Sequence, residues 1–165
     1  MKKSSEVIHV NPLYIDRGLK MSLKVNEMCR AAGRSYVGKK KQPRWLWWVE
    51  DAVTGEIIAF VLGPVRRCGR THQTFRHLMN LLEVAKIEVI RWIKDSWWAY
   101  FDCLDQRFRL IRKASLQSLE RKHLTLRTRL KRLTRRTICF SKSVVIHDTI
   151  IGLFINQFFF ADKRN

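Results

Sequence analysis

The sequence has no closely spaced pair of cysteines, no pattern typical of a signal peptide and no long apolar run. It contains no C-x-x-C pair, and no Cys/His group has the spacing of a zinc site, which argues against a structural zinc ion. Four isolated thiols without a signal peptide fit a reducing compartment, and we expect a cytoplasmic protein. The apolar tail at residues 150–160 is interrupted and too short to span a bilayer, so we expect a buried helix or strand there.

Acidic residues are also scarce. The 165 residues include 14 Asp and Glu against 33 Lys and Arg, and the formal charge is +19. The hydrophobic share of 46% is ordinary for a globular protein, so this charge does not indicate disorder. It points to a polyanionic partner, either nucleic acid or an anionic membrane. The length suits one domain with a hydrophobic core.

Alternating apolar residues predict several strands in the first half of the chain. Strands are expected at residues 23–28, 44–49 and 57–62, with a hairpin turn through Gly55 between the last two. The strand at 57–62 is apolar throughout, which indicates a central place in the sheet. A helix capped by Thr71 should follow.

The second half alternates between strands and helices. Strands are expected at residues 88–94 and 107–112, with a short helix at 97–104 between them. A long basic helix should run from about Ser115 to Arg135, before a final apolar helix. Three consecutive antiparallel strands followed by alternating units predict one α/β sheet with helices on both faces.

One carboxylate, Glu120, lies within a strongly basic segment. Between Arg107 and Arg136 the chain has twelve Lys or Arg residues and no other acid. An acid in a surface that binds polyanions either pairs with a neighbouring cation or holds a cation of its own, such as a metal ion. Arg127 lies two helical turns beyond Glu120 on the same face, so a metal ligand and a phosphate contact would line one groove.

Asp95 is the second acid of interest because it follows the strand at 88–94. The carboxyl ends of strands in α/β sheets are common positions for ligand sites. Mg²⁺ prefers oxygen ligands, usually one or two carboxylates together with water and substrate phosphate. Phosphodiester cleavage and strand transfer can use two such ions about 4 Å apart.

Each of these features also has an ordinary structural explanation. An Asp at a strand end is often a helix cap, and Glu120 beside Arg121 and Lys122 would often be part of a solvated charged face. A Leu-striped basic helix is often only an amphipathic surface helix. A role at a membrane surface is a weaker alternative, because the helix has the Leu stripe but neither Trp nor Phe.

Four segments resemble, in the same order, the insertion-sequence-one family of DDE-type transposases. They read WLW at 45–47, DSWWAY at 95–100, LERKHLTLRTR at 119–129 and TICFSKS at 137–143. The separation between Asp95 and Glu120 is also that of the family. The resemblance extends from about Leu23 to Phe159.

The resemblance implies a ribonuclease-H-like mixed sheet and a catalytic domain at residues 21–165, after an N-terminal arm at 1–20. It implies cleavage and joining of DNA at transposon ends and target, with two Mg²⁺ or Mn²⁺ ions as cofactors. The active form would be a homo-oligomer on DNA. Asp95 and Glu120 would be the second and third catalytic acids and the metal ligands. No membrane and no small-molecule substrate are expected. The expected DNA-binding residues are Lys113, Arg121, Lys122, Arg127 and Arg129.

The first catalytic acid is where this chain departs from the family. Asn26 occupies the position of the first metal-binding Asp, and an amide oxygen can coordinate a cation without contributing charge. Glu27 cannot simply replace it, because neighbouring strand residues face opposite sides. We therefore expect impaired catalysis. The alternative is a non-enzymatic DNA-binding remnant or a regulator of an intact transposase, with DNA binding that is mostly non-specific and steeply salt-dependent.

Overall fold

The computed structural model describes residues 6–28, 35–37, 43–64, 70–94, 109–111, 117–130, 133 and 141–160. The predictions for Asp95, for the short helix at 97–104 and for Lys113 lie outside these residues. The strands are β1 (Lys20–Met28), β2 (Ser35–Tyr36), β3 (Pro43–Asp51), β4 (Ile57–Pro64), β5 (Glu88–Lys94) and β6 (Arg109–Ile111). The helices are α1 (Arg70–Val84), α2 (Gln117–Arg129) and α3 (Val144–Phe158), and a short 3₁₀ turn spans Pro12–Tyr14.

The strands form one mixed sheet with β1 near its centre. β1 pairs antiparallel with β3 on one side and parallel with β5 on the other. β3 also pairs antiparallel with β4, and β5 pairs parallel with β6. The resulting order is β4-β3-β1-β5-β6, with β2 beside the start of β3. The predicted antiparallel pairing of the strands at 23–28, 44–49 and 57–62 is confirmed within this mixed sheet.

β4 lies at the end of this order, so the prediction of a central strand is wrong. Its outer edge meets the segment 9–11, where Asn11 N donates to Ile58 O at 2.7 Å and Phe60 N donates to His9 O at 3.0 Å. The strand is apolar because both of its faces are buried: Ile58 belongs to one core and Phe60 to the other. Helices on both faces can therefore make an edge strand as hydrophobic as a central one.

Successive residues of β3 pack into two different hydrophobic cores. Trp47 packs with Phe75 of α1 on one face of the sheet. Trp48 belongs to the core on the other face, with Leu126 of α2 and Ile151 of α3. This is the two-residue period of a strand buried on both sides. It confirms the prediction of helices on both faces.

Two predicted helix ends differ from the structure. α1 begins at Arg70, so Thr71 lies inside the helix and does not cap it. α2 ends at Arg129 and not near Arg135. Thr128 Oγ1 donates to Leu124 O at 2.9 Å, a bond back to the preceding turn that bends helices and weakens their continuation.

α3 confirms that the apolar tail forms a buried helix. Ile151, Phe154 and Ile155 are buried on its inner side. Arg44 of β3 binds Asp148 of α3 through two hydrogen bonds, one of them from Nε to Oδ1 at 3.2 Å. Throughout the described ranges, no helix has the length and apolar character that crossing a bilayer requires.

Candidate functional site

The structure describes the backbone at two of the three predicted site positions. Asn26 lies near the C-terminal end of β1, and Glu120 lies in the first turn of α2. Asp95 immediately follows β5 in the sequence and is outside the described residues. The convergence of the three side chains therefore remains a prediction.

The C-terminal ends of β1 and β5 lie at the same end of the sheet. The two strands are parallel neighbours, and Lys24 pairs with Ile93. From this pair β1 continues to Met28, and β5 continues to Lys94. The segments that follow both strands therefore leave the sheet on one side, where ligand sites of α/β proteins commonly form.

Trp48 connects β1 to α2. It is the Cα partner of Asn26 in the antiparallel pairing of β1 with β3. Its buried indole meets the ring of His123 edge-on, with 4.8 Å between the ring centroids and 69° between the planes. His123 lies three residues after Glu120, or about one turn of α2. The edge-on contact of Trp48 with His123 thus links the strand beside position 26 to α2.

A buried ion pair makes a second connection between β3 and α2. The Glu50 carboxylate accepts a hydrogen bond from Trp48 Nε1 at 2.9 Å, and Lys122 Nζ lies 2.9 Å from the same oxygen, Oε1. Lys122 also donates to the carbonyl of Gly55 in the turn between β3 and β4. Gly55 has φ +72°, a conformation that glycine adopts readily, and the hairpin turn predicted at this residue is confirmed.

Burial controls the ionisation of the two titratable groups beside Trp48. It raises the pKa of Glu50 above its ordinary value, and the charge and hydrogen bond of Lys122 oppose that rise. Burial also lowers the pKa of His123 to about 4, and the positive charges of Arg127 and Lys122 act in the same direction. His123 is therefore a neutral packing residue at neutral pH.

The basic residues of α2 have unequal exposure. Arg121 and Arg129 are exposed, Arg127 is half-buried, and Lys122 is held by Glu50. The Arg129 guanidinium lies 5.2 Å from the centroid of the Phe158 ring, within the range of a cation–π contact. DNA contact by any of these residues remains a prediction.

A metal-binding cluster is not formed by the side chains that the structure describes. Among them, no group of three or more His, Cys, Asp or Glu could hold a metal ion. The two predicted ligands, Asp95 and Glu120, are not among those side chains. Metal binding by Asp95 and Glu120 therefore stays a prediction.

Glu50 is the residue of this region that the sequence patterns do not predict. It follows the apolar run at 46–49 within a strand, and it is fully buried. A charged residue that continues an apolar strand requires a partner once it is buried, which is a usable signal for a buried ion pair. The identity of that partner, Lys122, is set by tertiary structure and has no local sequence signal.

Comparisons with known proteins identify similar sequences over most of the chain. Residues 25–161 match a family model described as IS1 transposase. The InsB protein of insertion element iso-IS1n from Shigella dysenteriae is 41% identical over 126 residues, which covers 76% of this chain and 91% of that protein. The IS1 protein InsB from Shigella flexneri is 38% identical over 121 residues, which covers 73% of this chain and 87% of that protein.

One solved structure shares the fold. It is the cryo-EM structure of the simian T-cell lymphotropic virus intasome in complex with PP2A regulatory subunit B56 gamma, and the TM-score is 0.52. The alignment covers 93% of this chain and 54% of the viral structure's chain, so this chain spans about half the length of that one. At 15% identity the likeness concerns the fold alone.

Proposed function

The chain belongs to the IS1 transposase family, which confirms the resemblance seen in its sequence, and we propose that it is a transposase catalytic domain impaired by Asn26. The reaction would be metal-dependent cleavage and strand transfer of element-end DNA. The catalytic domain would span residues 21–165 and act in the cytoplasm as a homo-oligomer on DNA.

The strand order supports a ribonuclease-H-like assignment. β1, β3 and β4 form the antiparallel part of the sheet, and β5 and β6 continue it on the other side of β1 in parallel. Helices cover both faces. This is the arrangement that the family resemblance implies, and the fold shared with the viral chain agrees with it.

The contact between Trp48 and His123 is the observation that carries the proposal. Val25 is buried in the core on the α1 side of the sheet, so the alternation of strand residues assigns position 26 to the opposite face, with Trp48. α2 packs on that face and carries position 120 one turn before His123. Two acid positions of the family motif thus belong to elements that both neighbour β3.

The register of β1 and β5 supports the third position. Lys24 pairs with Ile93, so a continuation of that pairing by two residues would bring Asp95 beside Asn26. Such an arrangement would place one residue from β1, one from the end of β5 and one from α2 in the same region. This is the convergence from separate elements that we propose for the catalytic trio.

The oxygen atoms of the three donors suit a hard divalent cation. The set carries one negative charge fewer than three carboxylates would. Asp95 and Glu120 would supply carboxylate oxygens, and Asn26 would supply an amide oxygen. A bound Mg²⁺ or Mn²⁺ pair supplies Lewis-acid activation of the phosphodiester and its attacking group. The neutral donor at position 26 is the physical reason for proposing weak metal binding and impaired catalysis.

The basic residues of α2 would orient the DNA. Arg127 follows Glu120 by two helical turns and would hold a phosphate beside the carboxylate. Arg121 and Arg129 are exposed and would neutralise further phosphates. His123 is neutral and packed against Trp48, so it would support the helix without contributing charge.

Strand cleavage and joining on DNA duplexes that carry element ends, with Mg²⁺ or Mn²⁺, tests this proposal. The Asn26→Asp variant should be more active than the unchanged chain, and Asp95→Ala added to Asn26→Asp should abolish the gain. Equal activity of the unchanged chain and the Asn26→Asp variant would contradict impairment. Inactivity of a folded Asn26→Asp variant would contradict the catalytic proposal.

A non-enzymatic DNA-binding protein that regulates an intact transposase is the second candidate. The neutral residue at position 26, together with the exposed Arg121 and Arg129, favours it. This candidate requires salt-sensitive DNA binding that Asp95→Ala and Glu120→Ala leave unchanged. It also requires that the chain inhibit strand transfer when it is mixed with an active relative.

A further inference from the structure

Lys122 differs from the neighbouring basic residues of α2 in its surroundings. Arg121 and Arg129 are exposed, whereas the side chain of Lys122 is 19% exposed and that of its partner Glu50 is 0% exposed. The ammonium of Lys122 contacts Glu50 Oε1 and the carbonyl of Gly55 at the same time. Its charge is therefore directed into the protein, toward the sheet.

The acceptor at Gly55 belongs to an ordered turn. Asp51 Oδ1 accepts a hydrogen bond from Val53 N at 3.1 Å, and Oδ2 accepts one from Thr54 Oγ1 at 2.8 Å. Gly55 N donates to the Asp51 carbonyl at 3.0 Å, which closes the turn. These bonds hold the Gly55 carbonyl in place, so Lys122 meets a fixed acceptor and not a loose loop.

Glu50 makes the ion pair difficult to exchange for a DNA contact. Its Oε1 is shared by Trp48 and Lys122, and its Oε2 has no hydrogen-bond partner among the residues that the structure describes. If the ammonium moved away to a phosphate, the Glu50 carboxylate would remain buried without its counter-ion. Buried charges without a partner are strongly unfavourable.

We propose that Lys122 is a positioning residue, which fixes α2 to the turn between β3 and β4 through Glu50 and Gly55, and is not a DNA ligand. Glu120 lies two residues earlier on the same helix, so the ion pair sets the position of the third catalytic acid relative to the sheet. The part that concerns Glu120 rests on the proposed function. The part that concerns DNA contact is independent of it.

The salt dependence of DNA binding separates a positioning residue from a phosphate ligand. The slope of log affinity against log salt is negative, and removal of one phosphate-binding side chain should reduce its magnitude by about 0.9. Fluorescence anisotropy with a labelled duplex should show this decrease for Arg121→Gln, the exposed neighbour. Lys122→Met should leave the slope unchanged, and an equal decrease in both variants would overturn the proposal.

Amide hydrogen exchange tests the position of the helix without requiring catalysis. Lys122→Met alone leaves the Glu50 charge buried without a partner and should lower the melting temperature. The double variant Glu50→Gln with Lys122→Met removes both charges, so its melting temperature should be closer to that of the unchanged chain. In this double variant the amides of α2 should exchange faster, while those of α1 should keep their rates. Unchanged exchange in α2 would overturn the proposal.

Turnover tests the link to Glu120. In the Asn26→Asp background, the double variant should bind DNA normally but turn over about tenfold more slowly or worse at saturating DNA, because small displacements of a catalytic group are costly. Full turnover would overturn the positioning role. If Asn26→Asp alone is inactive, the catalytic proposal fails, and the salt slope and the amide exchange still decide whether Lys122 anchors α2.

Discussion

Trp48 and His123 meet edge to face inside the protein, with ring centroids 4.8 Å apart. Trp48 is the strand partner of Asn26, and His123 lies about one turn from Glu120, so this contact links α2 to the strand that pairs with β1. Both residues are buried. The contact therefore stabilises the fold and, at the same time, places the imidazole where a positive charge is unfavourable.

The stability of the protein should fall at mildly acidic pH because of His123. Its pKa is about 4 in the folded protein against an ordinary value of 6.5. The unfolded chain therefore gains a proton that the folded protein excludes, so the contribution to stability is present above about pH 6.5 and is lost as the pH falls toward 4. Between pH 7 and pH 5 this loss should be about 2 kcal/mol.

Urea unfolding of the unchanged chain and of His123→Gln at both pH values measures this effect. The variant should be less stable at pH 7, since it loses the ring contact with Trp48, but its stability should fall less between pH 7 and pH 5. Carboxylates that titrate in the same range affect both proteins and cancel in the comparison. The same decrease in both proteins would show that His123 is not the responsible group.

The ion pair between Arg44 and Asp148 should contribute measurably to stability, in contrast to a surface pair. Its side chains are 12% and 27% exposed, and the guanidinium donates two hydrogen bonds to the carboxylate. A double-mutant cycle with Arg44→Met and Asp148→Asn should give a coupling energy of about 1–3 kcal/mol.

The pair between Lys20 and Glu88 is the matched control. Its side chains are 66% and 65% exposed, and an exposed pair is worth less than about 1 kcal/mol. The cycle with Lys20→Met and Glu88→Gln should therefore give a smaller coupling energy than the Arg44 cycle. Similar energies for the two pairs would mean that Arg44 does not fix α3 to β3.

A Gly152→Ala substitution should destabilise the packing of the N-terminal segment on α3. A Cβ atom at position 152 would lie 2.3 Å from Cγ1 of Val7, which is too close for any real contact. Overpacking of this kind costs about 1–3 kcal/mol. Thermal unfolding should show a lower melting temperature for Gly152→Ala and recovery when Val7→Ala is added, because alanine itself favours the helix. If the melting temperature does not recover in the double variant, the strain does not arise from the contact with Val7.

Local sequence patterns predict those strands and turns whose conformation depends on residues close together in the sequence. The strand at 88–94 has the predicted bounds because its alternation lies within seven residues, and the hairpin at Gly55 is formed by a positive φ that glycine allows. The edge position of β4 was not predictable from its own composition. Its burial depends on helices and on the segment 9–11, which are distant in sequence.

The same limit applies to the site. The sequence motif indicates Glu120 and its basic neighbours, but it groups Lys122 with the residues that are expected to bind DNA. In the structure Lys122 pairs with Glu50, a residue far away in the sequence, and the exposed neighbour is Arg121. A run of like charges indicates a partner of opposite charge, but it does not indicate which member faces inward.

Divalent-cation binding should strengthen when a carboxylate is placed at position 26. Charge and ligand number tune the affinity of oxygen-donor sites over orders of magnitude, so Asn26→Asp should bind Mn²⁺ about tenfold more tightly or better. Ligand binding to the folded state raises its stability by mass action, so the melting temperature of Asn26→Asp should rise with Mn²⁺ at concentrations that leave the unchanged chain unaffected. This measurement requires no DNA and no catalysis.

Two controls make the cation measurement specific to the proposed trio. Asn26→Asp with Glu120→Gln should lose the Mn²⁺ response, because one carboxylate is introduced and another is removed. Glu27→Gln in the Asn26→Asp background should keep the response, since strand alternation predicts that positions 26 and 27 face opposite sides of β1. A response that survives Glu120→Gln would contradict a site formed by positions 26, 95 and 120, because the ion would then bind without the carboxylate of α2. A response that disappears with Glu27→Gln would also contradict it, because the ion would then depend on a residue predicted to lie on the opposite face of the sheet.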